Sequence, residues 1–121
     1  MKSSGCGPVV KGDLMYGAYM IQHKYVNKFK LTNKLIEHVI ADADTRYRNH
    51  KIPAIMVTFK DNSDMIIVPV KKKRRGDTLV ELSKSIELVA DNLNLVFCVE
   101  NFRYNYWKTM SLVEFLEFDE K

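Results

Sequence analysis

Along residues 19–25, YMIQHKY, the apolar run breaks at Gln22 and Lys24, which fall on one face of an extended strand while Ile21 and His23 fall on the other. A short arm near residues 13–16 precedes this strand across a turn at Gly17, so the pair reads as a hairpin. A lysine and an amide on a largely apolar strand are poor material for a core. Either that end of the strand reaches solvent, or the two side chains line a polar site that contains Asp13.

The period then changes. Residues 32–49 read as a helix, with Thr32 as N-cap and Leu35, Ile36, Val39, Ile40, Ala43 and Tyr47 as an apolar stripe. PAIMVTF, residues 53–59, is a nearly unbroken β run expected to be buried on both faces. The turn KDNSD leads into the strand MIIVPV, whose Pro69 suggests an edge position or a strand end. TLVE at residues 78–81 has the form of a capping box, and Leu79, Leu82, Ile86, Val89 and Ala90 follow at helical spacing, which predicts a second helix. NLVFCV predicts a strand, NFRYNYWKTM a further extended segment, and SLVEFLEF, with a capping box at Ser111 and Glu114, a short helix. Strands with intervening helices after a starting hairpin predict an α/β domain built on a mixed sheet.

Composition narrows the class. At 121 residues, with 46% apolar and 28% charged residues, the chain fits one soluble globular domain. No apolar run approaches the roughly 18 residues of a membrane span, and MKSSGCGPVVKG lacks the apolar core of a signal peptide. Cys6 and Cys98 stand far apart without CxxC spacing, as expected of free thiols in a reducing compartment. The expectation is an intracellular protein, in the cytoplasm or, if viral, in the host cell, with no membrane partner.

Charge sharpens this. Residues 1–75 hold 15 Lys/Arg against 6 Asp/Glu, a balance of +9, whereas residues 76–121 hold 4 against 9, a balance of −5. A basic face suited to a polyanion is one reading of this asymmetry, and ordinary solvated surface is the other.

Lys11-Gly12-Asp13, then Gln22-His23-Lys24, resembles the D…QxK form of the PD-(D/E)xK nuclease signature. The text around it, from the SSGCG start through IQHKYVNKFK to KIPAIMVTF, resembles the phage and archaeal Holliday-junction-resolvase branch of that superfamily. The resemblance covers about residues 3–70, with 71–121 as a divergent part of the same single domain, residues 1–121. It implies a restriction-endonuclease-like mixed sheet flanked by helices, and a metal-dependent endonuclease acting on DNA, branched DNA such as a Holliday junction above all. It also implies a homodimer, because a four-way junction needs two symmetric cuts.

In that resemblance Asp13, Gln22 and Lys24 are the catalytic residues. Asp13, the Gln22 amide oxygen and the His23 backbone carbonyl would hold Mg²⁺, with Mn²⁺ as a substitute. Lys24 would orient or help deprotonate the attacking water. The residues before Asp13 contain no Asp or Glu, and Gln22 stands where the motif has glutamate, so Asp13 is the one anionic ligand in view. Tight metal binding then needs a further acid, Glu100 or one from a second subunit. Lys11, Lys28, Lys30, Lys34, Lys71, Lys72, Lys73, Arg74 and Arg75 are the expected phosphate contacts. His23, His38 and His50 lack metal-ligand spacing to one another. Phe102, Tyr104, Tyr106 and Trp107 could stack bases, though alternating aromatics more often form core or a subunit contact. A noncatalytic DNA-binding or assembly protein on a degenerate nuclease fold is the alternative, and a protein-interaction module using the acidic half is a third.

Overall fold

A computed structural model describes residues 13–47, 51–83, 85–99 and 103–118, with the backbone alone for Asp13, Arg46 and Tyr47. The hairpin forms as the pattern predicts, from β1 (Asp13–Tyr16) and β2 (Tyr19–Val26). Gly17 turns the chain with φ +57°, a left-handed conformation that glycine adopts without steric cost. The turn is tied down from outside: the Ile52 N–H donates to the Ala18 carbonyl at 2.7 Å, and Lys51 Nζ to the Gly17 carbonyl at 2.8 Å.

After β3 (Phe29–Thr32) comes helix α1 (Asn33–Tyr47), whose cap is the predicted one, with Thr32 Oγ1 accepting from the Leu35 N–H at 2.9 Å. The predicted last residues of this helix, to Asn49, lie outside the described residues. β4 (Ile52–Phe59) and β5 (Asp64–Val70) follow, then β6 (Thr78–Glu81), β7 (Ser85–Leu88), β8 (Leu95–Cys98), β9 (Tyr106–Met110) and α2 (Leu112–Glu117). One mixed sheet takes seven strands in the order β1-β2-β4-β5-β9-β8-β6, and β3 pairs with β7 as a separate ribbon. Strands from both sides of residue 70 therefore share one sheet.

The two sheet faces carry separate cores. On one, Ile36, Val39 and Ile40 of α1 meet Ile55, Val57 and Phe59 of β4, Met65 and Ile67 of β5, and the buried Phe97 and Trp107. On the other, Phe115 of α2 covers Ile21, Ala54, Ile66, Val68 and Met110. The 53–59 run is thus buried from both sides, as expected. Pro69 sits next to the end of β5, a central strand, so the strand-end reading holds and the edge reading does not. No helix among the described residues is long and apolar enough to cross a membrane.

The second predicted helix is absent; TLVE is strand β6 and Ser85–Leu88 is strand β7. A helix would have turned Leu79 inward, yet it is 53% exposed, while Val80 and Leu82 reach the core at strand spacing. The backbone finds its partners far away. Leu79 pairs with Val96, the Leu82 N–H reaches the Cys98 carbonyl at 3.1 Å, and Leu31 pairs with Ile86. Sheet completion overrides the local capping signal. The other capping box is real: Ser111 Oγ accepts from the Glu114 N–H at 3.1 Å and starts α2.

One buried ion pair anchors the loop between β5 and β6. Asp77 Oδ1 lies 3.0 Å from Lys108 Nζ on β9, and Asp77 Oδ2 accepts from the Arg74 N–H at 2.9 Å. The Lys108 and Asp77 side chains are 9% and 4% exposed, so water screens the pair little. Lys108→Met should therefore leave a buried carboxylate without its cation and destabilise the protein by about 3–5 kcal/mol in urea unfolding. A loss under about 1 kcal/mol would show that solvent or Arg74 compensates Asp77 and that the pair is not structural.

Candidate functional site

The hairpin register brings Asp13 opposite Gln22, and Lys24 follows two positions on, abreast of Val57 in β4. The face that carries Gln22 and Lys24 is the one crossed by α1. There Gln22 Nε2 donates to Asp42 Oδ2 of the helix at 3.1 Å. Gln22, Lys24 and Asp42 are all half-buried. Gln22 thus has a partner on the helix that crosses its face; for Asp13 the backbone alone fixes its place, opposite the amide.

Asp42 is the residue that reading the sequence missed. Leu35, Val39 and Asp42 follow one another at the four- and three-residue spacing of a single helix face, so the aspartate stands where the apolar stripe should continue. An acid in a core stripe, with an amide in the strand it crosses, was the available signal. Glu100, the acid expected instead, lies outside the described residues, as do Lys11, the serine- and glycine-rich start, Cys6, His50 and Phe102. Cys98 is a half-buried free thiol.

His23 turns to the opposite face. Its Nε2 is 2.7 Å from Thr58 Oγ1, which in turn donates to Asp64 Oδ1 at 2.7 Å. Since the threonine proton is committed to Asp64, Nε2 of His23 is the donor in its own bond. The imidazole also lies against Tyr25, with ring centroids 4.3 Å apart. The His23 side chain thus ties β2 to β4, and only its backbone carbonyl is a candidate for the site. His38 is exposed on α1.

Among the described residues no three His, Cys, Asp or Glu side chains converge to hold a metal. Gln22 meets Asp42 through its amide nitrogen, and the Gln22 amide oxygen, the Asp42 carboxylate and an aspartate at position 13 are oxygen donors in kind. Mg²⁺ takes oxygen ligands and keeps several waters, so the residues fit that ion in kind.

The basic residues do not form a single patch. Lys28, Lys30 and Lys34 are exposed beyond the C-terminal end of β2. Lys71, Lys72, Lys73, Arg74 and Arg75 are exposed after the end of β5, which, by its antiparallel pairing with β4, lies at the N-terminal end of β2. The two groups bracket Gln22 and Lys24. The aromatic segment also divides: Trp107 is wholly buried, while Tyr104 and Tyr106 are half-buried beside a groove. Arg103 bonds to Asp44 of α1, and that hydrogen bond raises the guanidinium pKa further. Compared with protein families, curated proteins and solved structures, the chain matches no family model, no curated sequence and no solved structure.

Gln22 provides the test of the site. Gln22→Glu sets a second carboxylate about 3 Å from Asp42, where like charges repel unless a cation lies between them. Without metal this variant should melt several degrees below the parent, about 4 °C for each kcal/mol of repulsion. Millimolar Mg²⁺ should restore it, giving a larger metal-induced rise in Tm than the parent shows. Equal Mg²⁺ responses in the parent, Gln22→Glu and Asp42→Asn would remove both residues from any metal site.

Proposed function

We propose that the chain is a Mg²⁺-dependent endodeoxyribonuclease with a restriction-endonuclease-like core, selective for branched DNA such as the four-way Holliday junction and active as a homodimer. The observation that carries the reading is the hairpin register: Asp13 opposite Gln22, Lys24 on the same strand face as Gln22, and Asp42 brought onto that face by α1. Asp13, Gln22 and Asp42 would hold the ion, with the His23 carbonyl beside them. When bound, Mg²⁺ supplies positive charge to the nonbridging phosphate oxygens and lowers the pKa of a bound water. Lys24 orients the attacking water and offsets the negative charge that grows on the phosphate as the leaving oxygen departs. Asp42 also keeps the amide of Gln22 in one orientation.

Two further features support a DNA substrate and a second subunit. Basic residues at both ends of β2 offer phosphate contacts on either side of the site, over a strand about 25 Å long. The hairpin edge exposes Leu14, Met15 and Tyr16, and the Tyr16 ring lies tilted against Phe115 of α2 with centroids 5.6 Å apart; α2 itself exposes Val113 and Leu116. Such an apolar edge fits a twofold contact between copies. One observation favours the noncatalytic alternative: Gln22, a neutral amide, stands where the nuclease motif carries a glutamate.

A labelled four-way junction, a duplex and a single strand, each incubated with Mg²⁺, Mn²⁺ or EDTA, separate the readings. Cutting of the junction with metal is expected, and Asp13→Ala or Lys24→Ala should lower its rate by about 100-fold or more while leaving binding in EDTA within a few-fold. Tight binding without any cutting would instead establish the noncatalytic reading.

The basic loop gives an independent prediction. Replacing Lys71, Lys72, Lys73, Arg74 and Arg75 by glutamine should reduce the slope of log K against log salt on duplex DNA, by about 0.9 for each phosphate that the loop neutralises in the parent. An unchanged slope would assign the phosphate binding to Lys28, Lys30 and Lys34.

A further inference from the structure

At the end of the sheet where β2 and β4 begin lies a groove of about 420 Å³ lined by Tyr19, Tyr104, Tyr106, Lys71, Arg103 and Asn105 over an apolar floor. Among the described residues none that lines it is acidic. Its volume falls within the roughly 300–1,000 Å³ of small-molecule sites. We propose that this groove binds one unpaired nucleotide of a branched DNA, the base against the tyrosine faces and its phosphate on Lys71. The proposal rests on the DNA-binding reading above and extends it from the phosphate backbone to a base.

The groove's parts suit that occupant and are held in place. Tyr19 stands edge-on to Phe115 with centroids 5.0 Å apart, and Tyr104 edge-on to the buried Trp107 at 6.0 Å, so both rings are fixed from behind. Tyr106 is a strand residue, paired with Val70 and with Cys98. Arg103, bonded to Asp44, lies 5.9 Å over the Tyr104 ring and braces it against the helix. A base has an apolar face and polar edges, and this wall of tyrosines with Asn105 among them meets both. A lipid chain or an apolar peptide would match the apolar floor but not the polar edge that Lys71 and Asn105 give the groove.

Position argues the same way. Lys71 begins the exposed basic run and also lines the groove, so a strand tracking residues 71–75 passes over its mouth. The groove opens at the N-terminal end of β2, three residues along that strand from Gln22; Tyr19 faces α2 and Gln22 faces α1, so a nucleic-acid strand that joins groove and site rounds the end of the sheet. A branch point offers unpaired or easily unpaired nucleotides, and a plain duplex does not. A base captured here would therefore let the protein distinguish the two without reading sequence.

The test measures equilibrium binding of fluorescein-labelled oligothymidylate and of a blunt duplex to the parent, Tyr106→Leu and Tyr106→Phe. Loss of the aromatic face in Tyr106→Leu should weaken oligothymidylate binding about fivefold or more, Tyr106→Phe should restore it, and duplex affinity should stay within twofold. Irradiating the parent with an oligonucleotide containing 5-iododeoxyuridine checks the place without any variant, and the crosslink should map to Tyr19, Tyr104 or Tyr106. Crosslinks confined to other residues, or duplex binding with equal oligothymidylate affinity in all three proteins, would overturn the groove assignment and leave the nuclease reading standing. Failure of the parent to bind oligothymidylate would overturn the groove assignment, and failure to bind a four-way junction as well would overturn both.

Discussion

Eight residues of β2 run parallel to eight of β4, and a parallel pair cannot be closed by a tight turn. The chain has to leave the sheet at Val26, cross a face and return at Ile52, and the crossing element is α1. That single constraint decides which face of β2 lies under α1. With Gln22 abreast of Ile55 and Lys24 abreast of Val57, the face under α1 carries the two polar residues, while the apolar Ile21 faces α2. The hairpin then adds β1 on the outer edge in a register that puts Asp13 opposite Gln22.

Placing an amide and an ammonium on a helix-covered face costs free energy unless each finds a partner. Gln22 has Asp42, an aspartate placed where the helix could have carried a leucine. Strand and helix thus both depart from their apolar patterns at one level of the fold, and the departures meet. Agreement between local pattern and global fold is what specifies a structure, and exceptions that coincide in space are the usual mark of a site. The His23–Thr58–Asp64 chain on the reverse face is a different case, because it links neighbouring strands directly and its hydrogen bonds are satisfied among themselves.

The hairpin, α1 and the α2 cap were legible because each is governed by near neighbours: the turn glycine, the Thr32 hydroxyl three residues before the Leu35 amide, the Ser111 hydroxyl three before that of Glu114. Thr78–Glu81 was not. Its residues satisfy a capping box and a strand about equally well, and the outcome turned on Leu95–Cys98 offering an open edge, as Phe29–Thr32 did for Ser85–Leu88. Asp42 was hidden for a related reason. A stripe residue's chemistry depends on which strand the helix crosses, and only the β2–β4 pairing settles that. Of the aromatic segment, spacing could place Tyr106 and Trp107 on opposite faces of a strand but could not say which face was sealed.

The basic loop shows how the ends of the sheet are made as definite as its middle. A run of five cations would by itself be a loose, self-repelling excursion. Asp77 ends it: one carboxylate oxygen closes the turn on Arg74 and the other grips Lys108 in the sheet, with Glu114 of α2 3.6 Å from the same ammonium. Arg74 also lies 5.7 Å over the ring of Phe118, the residue that closes α2. The loop is therefore fixed to β9 and α2, the elements that also present Tyr106 and, through Phe115, brace Tyr19. A buried ion pair of this kind adds little net stability compared with apolar packing, but it has few alternative partners. Its effect is to make the position of the cations, and hence the path open to a polyanion, a property of the sheet itself.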